Sequence, residues 1–172
     1  MSTTSWPVPN RWALTMSAAA LLILPAIDSA KAATTTSTFT VRMTVSSSCV
    51  INSASTLNFG SQGVITTNVD NTSTLQVQCT NTTPYNIGLD AGTGAGATVA
   101  ARKMTNGSAT ITHSLYRDSG RTTVWGNTVG TNTVASTGSG ASQSFTIYGR
   151  VPPQTTPAAA TYTDTITVTV TY

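Results

Sequence analysis

The stretch Tyr162-Thr163-Asp164-Thr165-Ile166-Thr167-Val168-Thr169-Val170-Thr171-Tyr172 has threonine at every odd position and Ile166, Val168, Val170 and Tyr172 in the opposite phase. A period of two with β-branched residues on both faces is the pattern of a strand with one side against a core. The same pattern recurs towards the N-terminus. In Thr38-Phe39-Thr40-Val41-Arg42-Met43-Thr44-Val45 the apolar set Phe39, Val41, Met43 and Val45 alternates with Thr38, Thr40, Arg42 and Thr44. Between these ends lie further strand candidates. Val50 and Ile51 follow Cys49; Leu57 and Phe59 precede Gly60; Leu75, Val77 and Cys79 alternate with Gln76 and Gln78. Tyr85, Ile87 and Leu89 follow Pro84; Ile111, His113 and Leu115 share a face, as do Phe145, Ile147, Gly149 and Val151. The Gly/Ser/Thr/Pro-rich stretches 90–97, 128–142 and 152–160 read as surface loops. Short strands at this spacing predict an all-β chain, an immunoglobulin-like Greek-key β-sandwich.

Composition agrees. The chain of 172 residues holds 37 threonines, no glutamate and only 8% charged residues. Glutamate and lysine, strong helix formers, are nearly missing, which excludes helical bundles and coiled coils. The first 32 residues read as a cleaved signal peptide: Arg11 is the basic flank, Ala13 to Ile27 the mostly apolar stretch and Ala30-Lys31-Ala32 the small-x-small cleavage site. Residues 33–48 then form a leading strand with a Ser46-Ser47-Ser48 spacer, and 49–172 the folded domain. The exported part carries six basic residues and four aspartates, a net charge of +2 with no basic run. Nucleic acid is excluded as a partner on that ground.

Export also decides how the cysteines read. Cys49 and Cys79 are the only two, and an even number in an exported chain points to a disulfide. Closing a loop of about 30 residues is worth roughly 3 to 4 kcal/mol in the chain-entropy model. The competing reading, a metal or redox site, has no CxxC, and a lone histidine does not complete a zinc shell.

Catalytic chemistry finds little footing. Four dispersed aspartates offer no paired-carboxylate site, and no GxSxG elbow occurs. His113 is the single histidine and lies in phase with Ile111 and Leu115, so it reads as a packed side chain rather than a general base. Gly92, Gly94 and Gly96 lack phosphate-loop spacing and read as a flexible loop. Asn71-Thr72-Ser73, Asn81-Thr82-Thr83 and Asn106-Gly107-Ser108 match the glycosylation sequon by composition alone. Arg102-Lys103-Met104 reads as a short solvated turn. The expectation is a non-enzyme with no cofactor, no metal and no small-molecule substrate.

Two features are hard to reconcile with a monomer. A strand with four large apolar residues leads the exported chain, where ends are normally polar and frayed, and another strand ends on Tyr172. Natural sheets avoid long apolar edges because an open ladder recruits another chain.

These residues resemble the spore coat protein U domain family, the subunit type of archaic chaperone-usher pili. The resemblance rests on Cys49 with Leu57-Asn58-Phe59-Gly60, Cys79 with Pro84-Tyr85-Asn86-Ile87, Leu115-Tyr116-Arg117-Asp118, Trp125-Gly126, Tyr148-Gly149-Arg150-Val151-Pro152 and Tyr162-Thr163-Asp164. It runs from Cys49 to Tyr172. His113 stands where an aromatic residue is expected, and Ala159-Ala160 replace a glycine.

The resemblance implies an incomplete sandwich that lacks its last strand and is completed by a donor strand from another subunit. Phe39, Val41, Met43 and Val45 are then the plugs of the donated strand. Ile166, Val168, Val170 and Tyr172 form the groove wall that contacts a periplasmic chaperone, with the Tyr172 carboxylate anchored by the chaperone's basic residues. The implied partners are neighbouring copies in a head-to-tail polymer, the chaperone and an outer-membrane usher. The implied role is a structural subunit of a cell-surface fimbria serving adhesion and biofilm formation. The alternatives are a non-fimbrial spore or cell coat protein and a carbohydrate-binding adhesin module; 140 exported residues leave no room for a separate receptor domain.

Overall fold

The computed structural model describes residues 31–172. The signal reading therefore falls almost wholly outside the described residues. The chain divides into two units between Arg42 and Met43. Residues 31–42 of the first have no regular secondary structure and are exposed.

The second unit carries eight strands: β1 (Cys49–Ala54), β2 (Val69–Cys79), β3 (Pro84–Leu89), β4 (Arg102–Asn106), β5 (Ala109–Tyr116), β6 (Val134–Thr137), β7 (Ser142–Val151) and β8 (Val168–Thr171). They form a five-stranded sheet in the order β1-β2-β7-β5-β4 and a three-stranded sheet in the order β6-β3-β8. Every ladder is antiparallel. Among the described residues there is no helix, as the threonine-rich, glutamate-free composition predicts.

Alternation sets the packing. Leu75, Val77 and Cys79 of β2 are buried while Thr74 and Gln76 are exposed. Leu75, Val77, Tyr85, Ile87, Leu89, Leu115, Trp125 and Ile147 join in one core drawn from both sheets. Fully burying each such side chain is worth about 1.5–3 kcal/mol. Trp125 keeps its indole N–H satisfied by donating to the Ile87 carbonyl at 2.8 Å. Cys49 and Cys79 face each other across β1 and β2 and are joined by a disulfide.

Several local expectations change. Leu57 and Phe59 are not in a strand, yet both pack inward. A Cβ on Gly149 of β7 would come within 2.6 Å of Leu57 Cδ1 and 2.9 Å of Phe59 Cζ, so glycine leaves the space they fill. The stretch 128–142 is not all loop, because β6 pairs with β3 within it. Arg102 is not in a solvated turn: it lies in β4 and is fully buried. Its guanidinium donates to the carbonyls of Asp90, Val99, Leu89 and Trp125 at 2.7 to 3.0 Å. Burial pulls its pKa down to about 10, against the attraction of Asp90 and Asp164. Each hydrogen bond to a charged group contributes about 1.5–3 kcal/mol, so Arg102 binds the 90–101 loop to the ends of the core. Within that loop, glycines that read as flexible are closely packed. A Cβ on Gly92, whose φ is +80°, would fall 2.3 Å from an Asp164 carboxylate oxygen.

Candidate functional site: an apolar groove beside an open sheet edge

β8 is one of the two outer strands of its sheet, hydrogen-bonded to β3 on one side only, and β1 is one of the two outer strands of the other. Between the segment after β1 and the segment before β8 opens a groove of about 880 Å³. Leu57, Phe59 and Ile65 line it from the segment after β1, Ile166 and Val168 from the β8 side, and Leu115, Ile147 and Val151 from the larger sheet, together with polar residues such as Thr56, Asn58, Gln62 and Thr165. Leu57, Phe59, Ile166 and Val168 are left half-buried along this slot, apolar surface that a further strand would cover.

The β8 side of the groove keeps strand-like alternation further than its ladder extends. From 161 to 171 every threonine is exposed, while Tyr162, Asp164, Ile166, Val168 and Val170 are half-buried. Only 168–171 belong to a ladder, where Val168 and Val170 pair with Leu89 and Ile87. Polar anchors hold the rest. Thr105 and Thr163 exchange both backbone hydrogen bonds, at 2.8 and 3.2 Å. The Thr93 backbone N–H donates to Asp164 Oδ1 at 2.9 Å, and the Thr167 N–H to Asp90 Oδ1 at 2.9 Å. Asp90 is held below the usual carboxylate range. Its burial alone would raise it, but the N–H groups of Thr167 and Gly92 and the nearby Arg102 outweigh that.

His113 also lines the groove. Its Nε2 is 2.9 Å from Asp164 Oδ2, both side chains are at least 95% buried, and its Nδ1 is buried with no hydrogen-bond partner. Burial pushes its pKa below the usual imidazole value; the Asp164 bond opposes this without reversing it, and Arg102 adds to the fall. The residue is thus packed, as its phase with Ile111 and Leu115 indicates, and it carries a buried ion partner that sequence reading missed.

The expected site residues fall as follows. Ile166 and Val168 line the groove, and Val170 packs on the adjoining core. Tyr172 is 60% exposed. Phe39, Val41, Met43 and Val45 are 88%, 83%, 87% and 72% exposed, and they belong to no strand of this chain. Exposure of four alternating apolar residues is unfavourable unless something covers them. Immediately after them, the Ser48 N–H donates to Thr80 Oγ1 at 3.1 Å and its carbonyl accepts from the Thr80 N–H at 2.9 Å.

The opposite, outer face of the larger sheet is polar. Arg150 forms a two-pronged pair with Asp70 at 2.7 and 2.8 Å, joined by Arg121 at 3.4 Å. The Arg150 bond holds Asp70 below the usual carboxylate range. Asp118, on an exposed loop, is lowered to about 2, first by the Thr122 N–H and then by that of Thr123.

These shifts set the pH response. Below an unfolded-state value of about 6.5, the unfolded chain takes up a proton that buried His113 refuses, so stability present above 6.5 is lost as pH falls towards the folded value. Below about 4, protonation of Asp70, Asp90 and Asp118 removes a second share. Urea midpoints should be flat from pH 8 to 7, fall in these two steps, and lose only the upper step in His113→Phe.

Comparisons with known proteins place this geometry. Residues 35–169 match the family model of the Spore Coat Protein U domain, so the match begins upstream of Cys49 and includes the exposed 38–45 segment. Protein U of Myxococcus xanthus is 36% identical, over 91% of this chain and 94% of that protein. Among solved structures, the crystal structure of the CsuC–CsuE chaperone–tip adhesion subunit pre-assembly complex from the archaic chaperone-usher Csu pili of Acinetobacter baumannii shares the fold. Its TM-score is 0.56 at 22% identity, covering 75% of this chain and 41% of that one. With the family match spanning most of its length, the chain belongs to the Spore Coat Protein U domain family.

Proposed function

We propose that the chain is a structural pilin that polymerises by donor-strand complementation into an extracellular chaperone-usher fimbria. The observation that carries this reading is the pairing of two unfinished parts in one molecule. An apolar groove lies beside the open edge of β8, and an exposed segment carries apolar side chains at alternate positions. Strand addition joins such parts by main-chain hydrogen bonds, with alternate side chains entering the groove. Burying Phe39, Val41, Met43 and Val45 contributes on the order of 6 to 12 kcal/mol gross, and each ladder bond about 0.5–1.5 kcal/mol net. That is comparable with the whole stability of a domain, about 5–15 kcal/mol. Donation from one copy to the next is head-to-tail and does not close, so it extends into a fibre.

Before assembly, a periplasmic chaperone fills the groove against the β8 wall, and an outer-membrane usher hosts the exchange. A chaperone partner is supported by the likeness to a subunit solved in complex with one. The role is structural rather than catalytic, with surface adhesion and biofilm formation as its consequences. The name of the matched family favours a second reading, a non-fimbrial coat assembled by the same exchange; genes for a chaperone and usher beside this one would favour the pilus.

Electron microscopy of the exported protein should show fibres, and unboiled SDS gels should show a ladder of multimers that collapses to one band on boiling. A single monomer band in both lanes overturns the reading.

A further inference from the structure

His113 and Asp164 form a buried polar pair in the lining of the groove. With Asp164 Oδ2 accepting at 2.9 Å, the imidazole proton sits on Nε2. Nδ1 is left as a bare lone pair, buried and without a partner. A buried acceptor in that state is costly until a donor reaches it. The charged groups around it do not supply one. Asp164 is already engaged, and Arg102, the cross-strand neighbour of His113, spends its guanidinium on four carbonyls. A hydroxyl carried by whatever fills the groove would satisfy Nδ1.

Taking the donor-strand reading as its basis, we infer that Ser47 of the incoming strand donates its hydroxyl to His113 Nδ1 and so fixes the register of the exchange. The two sequences match position by position. Along the wall the in-phase positions are Asp164, Ile166, Val168, Val170 and Tyr172, one polar residue followed by four apolar ones. Along the donor the in-phase positions are Phe39, Val41, Met43, Val45 and Ser47, four apolar residues followed by one polar one. Every ladder among the described residues is antiparallel, and antiparallel pairing is the more stable sense. Antiparallel entry sets Phe39 by Tyr172, Val41 by Val170, Met43 by Val168, Val45 by Ile166 and Ser47 by Asp164 beside His113. A slip by two residues leaves His113 facing a valine or leaves Phe39 beyond the end of the wall. The serine therefore specifies register where the valines alone do not.

Because His113 is the only histidine, its ring nitrogens can be followed without ambiguity in fibres of the full chain. In mixed fibres of ¹⁵N-histidine and ¹³C-serine subunits, solid-state NMR should show Nδ1 as a hydrogen-bonded acceptor in contact with a serine of the neighbouring subunit. Ser47→Ala should abolish that contact, return Nδ1 to a free acceptor and speed strand release about two- to tenfold. Ser47→Thr should preserve both, and in His113→Phe fibres Ser47→Ala should have no further effect. If Ser47→Ala blocks assembly altogether, Ser47→Thr fibres carry the spectral test. An identical Nδ1 resonance in wild-type and Ser47→Ala fibres, or disappearance of the serine signal in Ser37→Ala fibres instead, overturns the inference while leaving the fibre intact. Absence of fibres from the wild type overturns the donor-strand reading itself.

Discussion

Subunits carrying Val41→Asp and Met43→Asp together should be exported and captured by the chaperone as efficiently as the wild type, and should form no fibre. On the donor-strand reading the two side chains are the central plugs; in the free chain they are 83% and 87% accessible, so their replacement costs the folded domain almost nothing. The cost arises only on donation. Each substitution forfeits the roughly 1.5–3 kcal/mol of burying an apolar side chain. Each also drives a carboxylate into an apolar slot, where an unpaired ion costs several kcal/mol more. Together these exceed what four plugs contribute. Electron microscopy and unboiled gels are the measurement, and fibres of normal length from the double variant would refute the donor assignment. Thr40→Asp with Thr44→Asp, on the other face of the same segment, is the matched control and should still polymerise.

Removing Val168 to Tyr172 should have an effect of similar size by another route. The deletion strips β8 from β3 and uncovers Ile87 and Leu89, which the β8 residues Val170 and Val168 face at the centre of the core. It also removes the sheet edge that borders the groove. Neither capture nor folding should survive, and the subunit should be degraded in the periplasm. Immunoblots of periplasmic extracts test this, and a stable subunit after truncation counts against the role of β8 as groove wall.

How much of this was legible from the residues differs by element. Leu75, Val77 and Cys79 declared their inward face through unbroken alternation, and so did the threonine-valine run at the C-terminus. That run keeps its alternating burial from 161 to 171 even where no ladder forms, because the core below it, rather than a neighbouring strand, sets which side faces in. β4 was missed because a buried arginine looks like a surface one until four carbonyls are seen converging on it. The usable signal was Gly107-Ser108: taken as part of a sequon, it is the two-residue turn of the β4–β5 hairpin between the paired Asn106 and Ala109, with Gly107 at φ +57° in the first turn position, where such loops favour glycine. β6, Val134-Ala135-Ser136-Thr137, has one large apolar residue in four and no pattern to read. The pairing of His113 with Asp164 joins residues 51 apart, a proximity that periodicity along the chain does not encode.

The two hydrogen bonds between Ser48 and Thr80 bear on the mechanics of a fibre built this way. They fasten the backbone to its own domain directly after Ser47, so with Ser47 seated in the neighbour's groove no free residue is left between one domain and the next. Links that short act as pivots rather than tethers. Such a filament would bend by adjacent domains rolling over one another, and its stiffness would be set by the surfaces that meet at each joint.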